Sequence, residues 1–265
     1  MAFLQCEYHS DVLGRACTMN VLVPQKAATQ IGMTSSGASG RTEYPVLFLL
    51  HGLSDNHTIW MRRTSIERYA AAYGLVVVMP DGGRSFYTDM AEGYRYWTML
   101  SEELPQIVRN LFPVSSRRED TFVAGLSMGG YGALKLALRC PDQFAAAVAL
   151  SPVTDPRSWF TNPEREPMWE ELKRVFGSAD RVVSNGDDLF TITEKRMKSA
   201  SPLPRLLQIC GSEDWLLPEN HRFRNHMKNI EYPDYTYQEA PGVHCWEFWD
   251  LHIQEGLRFL MEGRQ

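Results

Sequence analysis

The sequence lacks the features that mark membrane-spanning and nucleic-acid-binding proteins. Within its 265 residues, no stretch approaches the ~20 consecutive apolar residues that a transmembrane helix requires. Residues 1–7 contain neither the basic start nor the apolar run of a secretory signal peptide. The 27 lysines and arginines are scattered among 32 aspartates and glutamates, so the chain offers no basic face to phosphate backbones. We therefore expect neither a membrane nor a nucleic acid as a partner.

Cysteine is scarce and is poorly placed for disulfides or for metal binding. The five cysteines lie far apart and include no C-x-x-C pair. This pattern favours free thiols in a reducing compartment over a disulfide framework or a zinc site. We expect a cytoplasmic protein that binds no metal.

The sequence does contain a regular alternation of apolar strands and helices. Apolar runs of five or six residues, typical of strands buried on both faces, alternate with helical segments. The chain opens with two strands joined by the turn at 11–14, which predicts an antiparallel pair. The predicted strands are 2–9, 15–23, 45–50, 75–79, 121–124, 145–150, 205–210 and 236–239, and the predicted helices are 58–73, 97–111, 131–139, 218–230 and 246–261.

This pattern predicts a single α/β domain over residues 1–265. Its central sheet is mostly parallel, with helices on both faces and antiparallel strands at the N-terminal edge. No repeat or linker divides the chain, but two segments depart from the alternation. Residues 25–44 predict a flexible surface loop, because they are rich in serine, glycine and threonine. Residues 152–203 contain five prolines and predict a cap-like insertion over the sheet.

The most informative motif is Gly-Leu-Ser-Met-Gly at 125–129. The predicted strand 121–124 precedes it and the predicted helix 131–139 follows it, so the motif occupies a strand-to-helix turn. A G-x-S-x-G sequence in that context is typical of a nucleophile elbow, which presents the serine hydroxyl above the sheet. The pattern favours Ser127 as a catalytic nucleophile over an incidental serine in a glycine-rich turn.

A serine nucleophile needs a neighbouring base that accepts its proton. Of the histidines that follow Ser127, His221, His226 and His252 fall within predicted helices. His244 instead follows the last predicted strand, in a loop at the carboxyl edge of the sheet, where α/β enzymes place their chemistry. We predict that His244 is the base.

The base in turn needs a carboxylate that fixes its tautomer and offsets its charge. Asp214 directly follows a predicted strand and gives the chain order Ser, Asp, His that α/β hydrolases use. Glu213 is its immediate neighbour, and Asp155 follows the strand after the elbow, a position that some hydrolases use. Asp187 and Asp188 lie beside an Asn-Gly pair, and this pattern predicts that they form a solvated turn. Asp214 is the predicted acid, and Asp155 is the main alternative.

Acyl transfer to serine also requires backbone N–H donors for the oxyanion. We predict that Met128, the residue after the nucleophile, supplies one donor and that Leu53, in the loop after the third strand, supplies the other. His51 in the same loop is expected to brace it, with a substrate contact as the alternative. Trp159 is a candidate for the acyl pocket or for a subunit interface, and Trp215 is a candidate substrate contact.

Together these motifs resemble the esterase D / tributyrin esterase group of serine esterases, and the bacterial tributyrin-esterase branch in particular. The resemblance fades in 25–44 and 153–203, the segments expected to shape substrate choice. The matching segments are 49–57 through Trp60, 78–82, 97–105, 124–133, 210–214 and 242–249.

The resemblance implies an α/β-hydrolase fold and a triad of Ser127, Asp214 and His244. It implies hydrolysis of short-chain acyl esters of small molecules through a covalent acyl-enzyme, without a cofactor, and it favours a homo-oligomer. S-formylglutathione hydrolases and carbohydrate esterases that remove acetyl or feruloyl groups share the same motifs. Fold and triad also leave peptidases and acyltransferases open. A non-catalytic binding module on a degenerate hydrolase fold is the alternative outside enzymes, but all three triad residues are present.

Overall fold

A computed structural model describes residues 1–26, 29, 31 and 42–262 of the chain. The predicted flexible loop at 25–44 lies mostly outside the described residues. The eight strands of the described part form one sheet in the order β1-β2-β4-β3-β5-β6-β7-β8. These strands are β1 Ala2–Ser10, β2 Arg15–Val23, β3 Val46–Leu50, β4 Val76–Pro80, β5 Thr121–Leu126, β6 Ala146–Leu150, β7 Arg205–Gly211 and β8 Tyr235–Ala240.

The sheet is parallel from β4 to β8 and antiparallel at the N-terminal edge. β1 pairs with β2, and β2 pairs with β4, in antiparallel register, whereas the remaining neighbours are parallel. Every residue of β3, β4, β5 and β6 is buried, because helices cover both faces. The predicted fold class, an α/β-hydrolase sheet with an antiparallel N-terminal edge, is confirmed.

The helices divide between two apolar cores, one on each face of the sheet. Leu134 packs in the first core and Ile253 in the second. The predicted helix 58–73 is two short helices that are interrupted at Thr64, whose backbone is extended. The α-helices are α1 Ile59–Arg63, α2 Ile66–Ala71, α3 Tyr96–Thr98, α4 Leu104–Leu111, α5 Met128–Arg139, α6 Trp169–Phe176, α7 Ala179–Ser184, α8 Leu189–Met197, α9 Leu217–Asn229 and α10 Trp246–Met261.

The predicted helix 97–111 contains a π-helical turn over Met99–Glu103. Pro105 follows this turn and has no N–H to donate to the carbonyl of Ser101. That carbonyl accepts a hydrogen bond from Nε2 of Gln143 instead, at 3.1 Å. The wider turn therefore accommodates the proline without leaving a buried carbonyl unsatisfied.

Residues 152–203 connect the neighbouring strands β6 and β7 and contain α6, α7 and α8. The prediction that Asp187 and Asp188 form a solvated turn is wrong, because both residues are buried. Asp188 caps α8 by accepting a hydrogen bond from the N–H of Thr191 at 2.9 Å. Oδ1 of Asp187 lies 2.9 Å from Nζ of Lys135 on α5, which is fully buried. Burial lowers the pKa of Lys135 to about 8, because it disfavours the charged ammonium. Asp187 is the main group that opposes this effect and stabilises the charge.

Replacing Asp187 by asparagine is expected to destabilise the fold strongly, since it leaves a buried ammonium without its counter-charge. Losing one partner of a buried pair costs about 3 kcal/mol or more. Asp142→Asn, at an exposed position on the protein surface, is the matched control. Chemical denaturation of both variants measures the difference, and equal unfolding free energies would show that the Lys135 pair does not hold the insertion to α5.

Candidate active site

Ser127 occupies a strained turn between β5 and α5. Its backbone has φ 53° and ψ −118°, a positive φ that is rare for a residue with a side chain and is common at functional turns. Its N–H donates to the carbonyl of Leu150 at 2.9 Å, and its carbonyl accepts from the N–H groups of Tyr131 and Val153, each at 3.1 Å. Three backbone hydrogen bonds therefore hold the turn and leave the hydroxyl free to act.

The turn requires glycine at 125, because β5 and α5 approach each other there. A Cβ atom built on Gly125 would lie 2.4 Å from the backbone C and O atoms of Gly129. No side chain fits at that distance without moving the helix. The local sequence thus sets how closely the first turn of α5 lies against the end of β5.

His244 lies beside Ser127 at the end of a short loop between β8 and α10. Its Nε2 is 3.1 Å from Oγ of Ser127, and its Nδ1 is 2.9 Å from Oδ2 of Asp214. The imidazole is packed between two indoles, with ring centroids 4.9 Å from Trp215 and 4.8 Å from Trp249. These contacts hold the imidazole between the serine hydroxyl and the Asp214 carboxylate.

Asp214 reaches the histidine because the ends of β7 and β8 meet closely. A Cβ atom on Gly211 would lie 2.3 Å from the carbonyl oxygen of Gly242, so the two loops can touch only through glycine. The Asp214 carboxylate also accepts the N–H of Leu216 at 2.8 Å, and its side chain is fully buried. Oδ1 is therefore held by the backbone and also lies 3.1 Å from Nδ1 of His244, so both oxygens face the imidazole.

The other candidate acids lie elsewhere. Asp155 forms an ion pair with Arg222 at 3.1 Å, and it accepts a hydrogen bond from the N–H of Ser158. Glu213 is exposed. Asp214 is the carboxylate that contacts His244 among the described residues.

The loop after β3 forms the wall of the site opposite His244. Leu53 of this loop and Met128 both line the cavity at Ser127, where oxyanion donors are expected. His51 is 1% exposed and lies behind the loop, outside the cavity lining. Its Nδ1 lies 2.7 Å from the carbonyl oxygen of Gly52, and its Nε2 accepts the N–H of Gly82 at 2.9 Å. The ring therefore ties the loop after β3 to the loop after β4.

A cavity of about 600 Å³ opens above Ser127, which is within the usual range for small-molecule sites. Trp159 and Trp215 line it, as the sequence suggested. Its further lining includes charged and aromatic side chains from the loops and helices that follow β3, β4, β6 and β8: Asp55, Arg63, Arg84, Phe86, Arg165, Trp246, Glu247 and Trp249.

Comparison with known proteins agrees with this geometry. Residues 10–260 match the family model described as "Putative esterase". The chain belongs to this esterase family. It is 29% identical over 272 residues to an acetyl esterase of Caldicellulosiruptor saccharolyticus, and the match covers 98% of both chains.

Two solved structures from Staphylococcus aureus are similar to this esterase. The fluorophosphonate-binding serine hydrolase F is 32% identical with a TM-score of 0.86, and 98% of each chain is covered. An S-formylglutathione hydrolase is also 32% identical, with a TM-score of 0.83 over 98% of this chain and 99% of the other. With the family match, these relatives identify the protein as a serine esterase, a carboxylic ester hydrolase.

The described part of the esterase holds no cluster of three or more histidine, cysteine, aspartate or glutamate side chains arranged to bind a metal. None of its described helices is both long and apolar enough to cross a bilayer. All five cysteines are free thiols.

Sequence reasoning missed several cavity residues of the esterase, notably Arg84, Phe86 and Arg165. Arg84 and Phe86 lie in the loop after β4. Active-site residues of α/β enzymes commonly lie at the carboxyl ends of parallel strands, so this rule could have indicated that loop. No motif marks Arg165, which lies in a short 3-10 helix over Pro163–Met168 of the insertion.

Proposed function

We propose that this esterase hydrolyses short-chain acyl esters, as tributyrin esterases do, through a triad of Ser127, His244 and Asp214. The observation that carries the proposal is the unbroken chain of contacts from the serine hydroxyl through both imidazole nitrogens to the carboxylate. This chain of contacts lies at the base of a cavity that is large enough for a small ester. A nucleophile, a base and an orienting acid in this order perform acyl transfer.

In the first half-reaction Ser127 attacks the ester carbonyl carbon while Nε2 of His244 takes the hydroxyl proton. The Nδ1–H of the imidazole donates to Asp214, whose negative charge stabilises the imidazolium. The carbonyl oxygen becomes an oxyanion, which the backbone N–H groups of Leu53 and Met128 stabilise. The tetrahedral intermediate collapses, the alcohol leaves with the proton from Nε2, and the acyl group remains on Ser127.

In the second half-reaction water replaces the alcohol. His244 takes a proton from the water as it attacks the acyl carbonyl carbon, and the same oxyanion donors act again. The bond to Oγ of Ser127 breaks, the serine regains its proton from Nε2, and the carboxylic acid is released. Asp214 keeps the ring in one orientation through both steps.

Ser127→Ala is expected to abolish ester turnover, because no other group forms the acyl bond. The fold should persist, since the hydroxyl contributes little to packing. Ser184→Ala, at an exposed position in α7, is the control and should keep full activity. Turnover of 4-nitrophenyl acetate and mapping of a fluorophosphonate adduct both report on the nucleophile. An adduct on a different serine would refute the assignment.

Asp214→Asn should lower kcat by ~10²–10⁴-fold, because an amide at this position favours the wrong imidazole tautomer. Asp155→Asn should have little effect on the chemical step, since Asp155 pairs with Arg222 rather than with His244. Glu213→Gln, at an exposed neighbour of the acid, should likewise remain active. Side-by-side kinetics of the three variants decide the matter. Loss of activity in Asp155→Asn alone would move the acid to the earlier strand.

We expect acetyl to butyryl esters to be turned over faster than octanoyl esters, without activation at a lipid interface. Within the described residues the insertion forms short helices. It places the ring of Trp159 against that of Phe86, with centroids 6.0 Å apart, and this contact closes one side of the cavity. Each methylene that the pocket accommodates contributes ~0.8 kcal/mol of binding free energy. This corresponds to about a fourfold increase in kcat/KM. A kcat/KM that rises steadily through octanoyl esters would contradict the short pocket.

A second candidate is thioester hydrolysis, which the similarity to an S-formylglutathione hydrolase supports. The same triad cleaves a thioester, and the leaving thiol takes the place of the alcohol. A panel that compares S-formylglutathione with 4-nitrophenyl acetate and with feruloyl and acetyl-xylan esters separates these substrate classes. A kcat/KM far higher for the thioester would assign the enzyme to it.

A further inference from the structure

Arg165 presents an unpaired positive charge at the cavity. Its guanidinium carbon lies 4.0 Å from the ring centroid of Trp215 and 4.8 Å from that of Trp159. Its Nε is buried and has no hydrogen-bond partner among the described residues. Although Glu164 and Glu166 flank it in sequence, it forms no ion pair within the part of the chain that the structure describes.

Of the two indoles beneath this arginine, Trp159 is held rigidly. Trp159 is 3% exposed, its Nε1–H donates to the Glu219 carboxylate at 2.8 Å, and its carbonyl accepts from Nε1 of Trp169 at 2.8 Å. The indole is thus fixed at both its ring and its backbone. A guanidinium stacked on it is held in place before a ligand arrives, which lowers the entropic cost of binding.

The other arginines that line the cavity already have acidic neighbours. Arg84 forms a salt bridge to Glu171, with Nη2 2.7 Å from Oε2. Arg63 is exposed and forms no ion pair among the described residues, although it interacts electrostatically with Glu247 and Asp55. Among the described lining arginines, Arg165 therefore combines partial burial with a charge that no ion pair compensates.

Arg165 lies on the side of the cavity where the leaving group departs. His244 carries the proton to the leaving oxygen, so the alcohol part of the ester must lie toward His244. Trp215 packs against that imidazole at 4.9 Å, and the guanidinium stacks on Trp215. The Trp215 indole is thus in contact with both groups. A substituent on the alcohol that extends past His244 along this indole would therefore approach Arg165.

We propose that Arg165 forms a subsite for a carboxylate on the alcohol part of the ester, so that the enzyme prefers esters whose leaving alcohol or phenol is an anion. This inference rests on the proposed function. Contact with the indoles uses the face of the guanidinium, and because Nε is buried the edge offered to a ligand is the one formed by the two terminal amino groups. That edge binds a carboxylate through two parallel hydrogen bonds, an arrangement that a neutral alcohol cannot offer.

The test compares two acetyl esters that differ in one charge, 4-acetoxybenzoate and its neutral methyl ester, with 3-acetoxybenzoate as a second geometry. The measured quantity is the ratio of kcat/KM for the anionic ester to that for the neutral one, which cancels general effects on the triad. Arg165→Gln is expected to lower this ratio by about tenfold, the lower end of what a charged hydrogen bond supplies at a partly exposed site. Arg157→Gln, an exposed arginine of the same insertion outside the cavity lining, should leave the ratio unchanged.

A charge on the acyl side serves as the positional control. The ratio of 4-nitrophenyl hemisuccinate to 4-nitrophenyl butyrate should not change in Arg165→Gln. A change confined to this second pair would overturn the assignment to the alcohol side. An unchanged acetoxybenzoate ratio, with Ser127-dependent turnover of the methyl ester intact, would overturn the subsite and leave the proposed function standing. Absence of turnover of every ester would overturn both.

Discussion

The backbone turn at Ser127 is the constraint on which the rest of the site depends. A residue with a side chain adopts a positive φ only where the surroundings enforce it, and here the enforcement comes from both sides. The carbonyl of Leu150 in the neighbouring strand holds the Ser127 N–H, and the contact between Gly125 and Gly129 fixes the helix against the strand. The sheet and α5 together orient the hydroxyl of Ser127, so the packing of both elements positions the proposed nucleophile.

The other two members of the proposed triad meet because β7 and β8 are adjacent and parallel. Their carboxyl ends open at the same edge, and each strand is followed by a loop that carries one side chain. Close backbone approach between Gly211 and Gly242 lets these loops touch. The geometry of Asp214 and His244 thus follows from strand order, and the segment between them, which are 30 positions apart in sequence, returns the chain to the same edge.

The fold and the centre of the site were predictable because their signals are local. Apolar runs, helix periodicity and the glycines around Ser127 act within a few residues of the structure that they specify. The buried pair of Lys135 and Asp187 was not predictable, since its members are 52 residues apart and an Asn-Gly pair beside the aspartate indicated a solvated turn. The contact of Arg165 with Trp215, which lies in the loop after β7, also depends on tertiary structure that no short motif encodes.

Two buried side-chain contacts, in addition to apolar packing, hold the insertion between β6 and β7 near the proposed catalytic centre. Lys135 lies on α5, the helix that begins directly after Ser127, and its ion pair with Asp187 anchors the far end of the insertion. Glu219 on α9 anchors the near end through Trp159. Lys135, Asp187 and Glu219 lie outside the cavity lining, whereas Trp159 and Arg165 belong to it, so neither anchor depends on the side chain of Arg165. The proposed subsite and the proposed triad thus lie on different elements around one cavity.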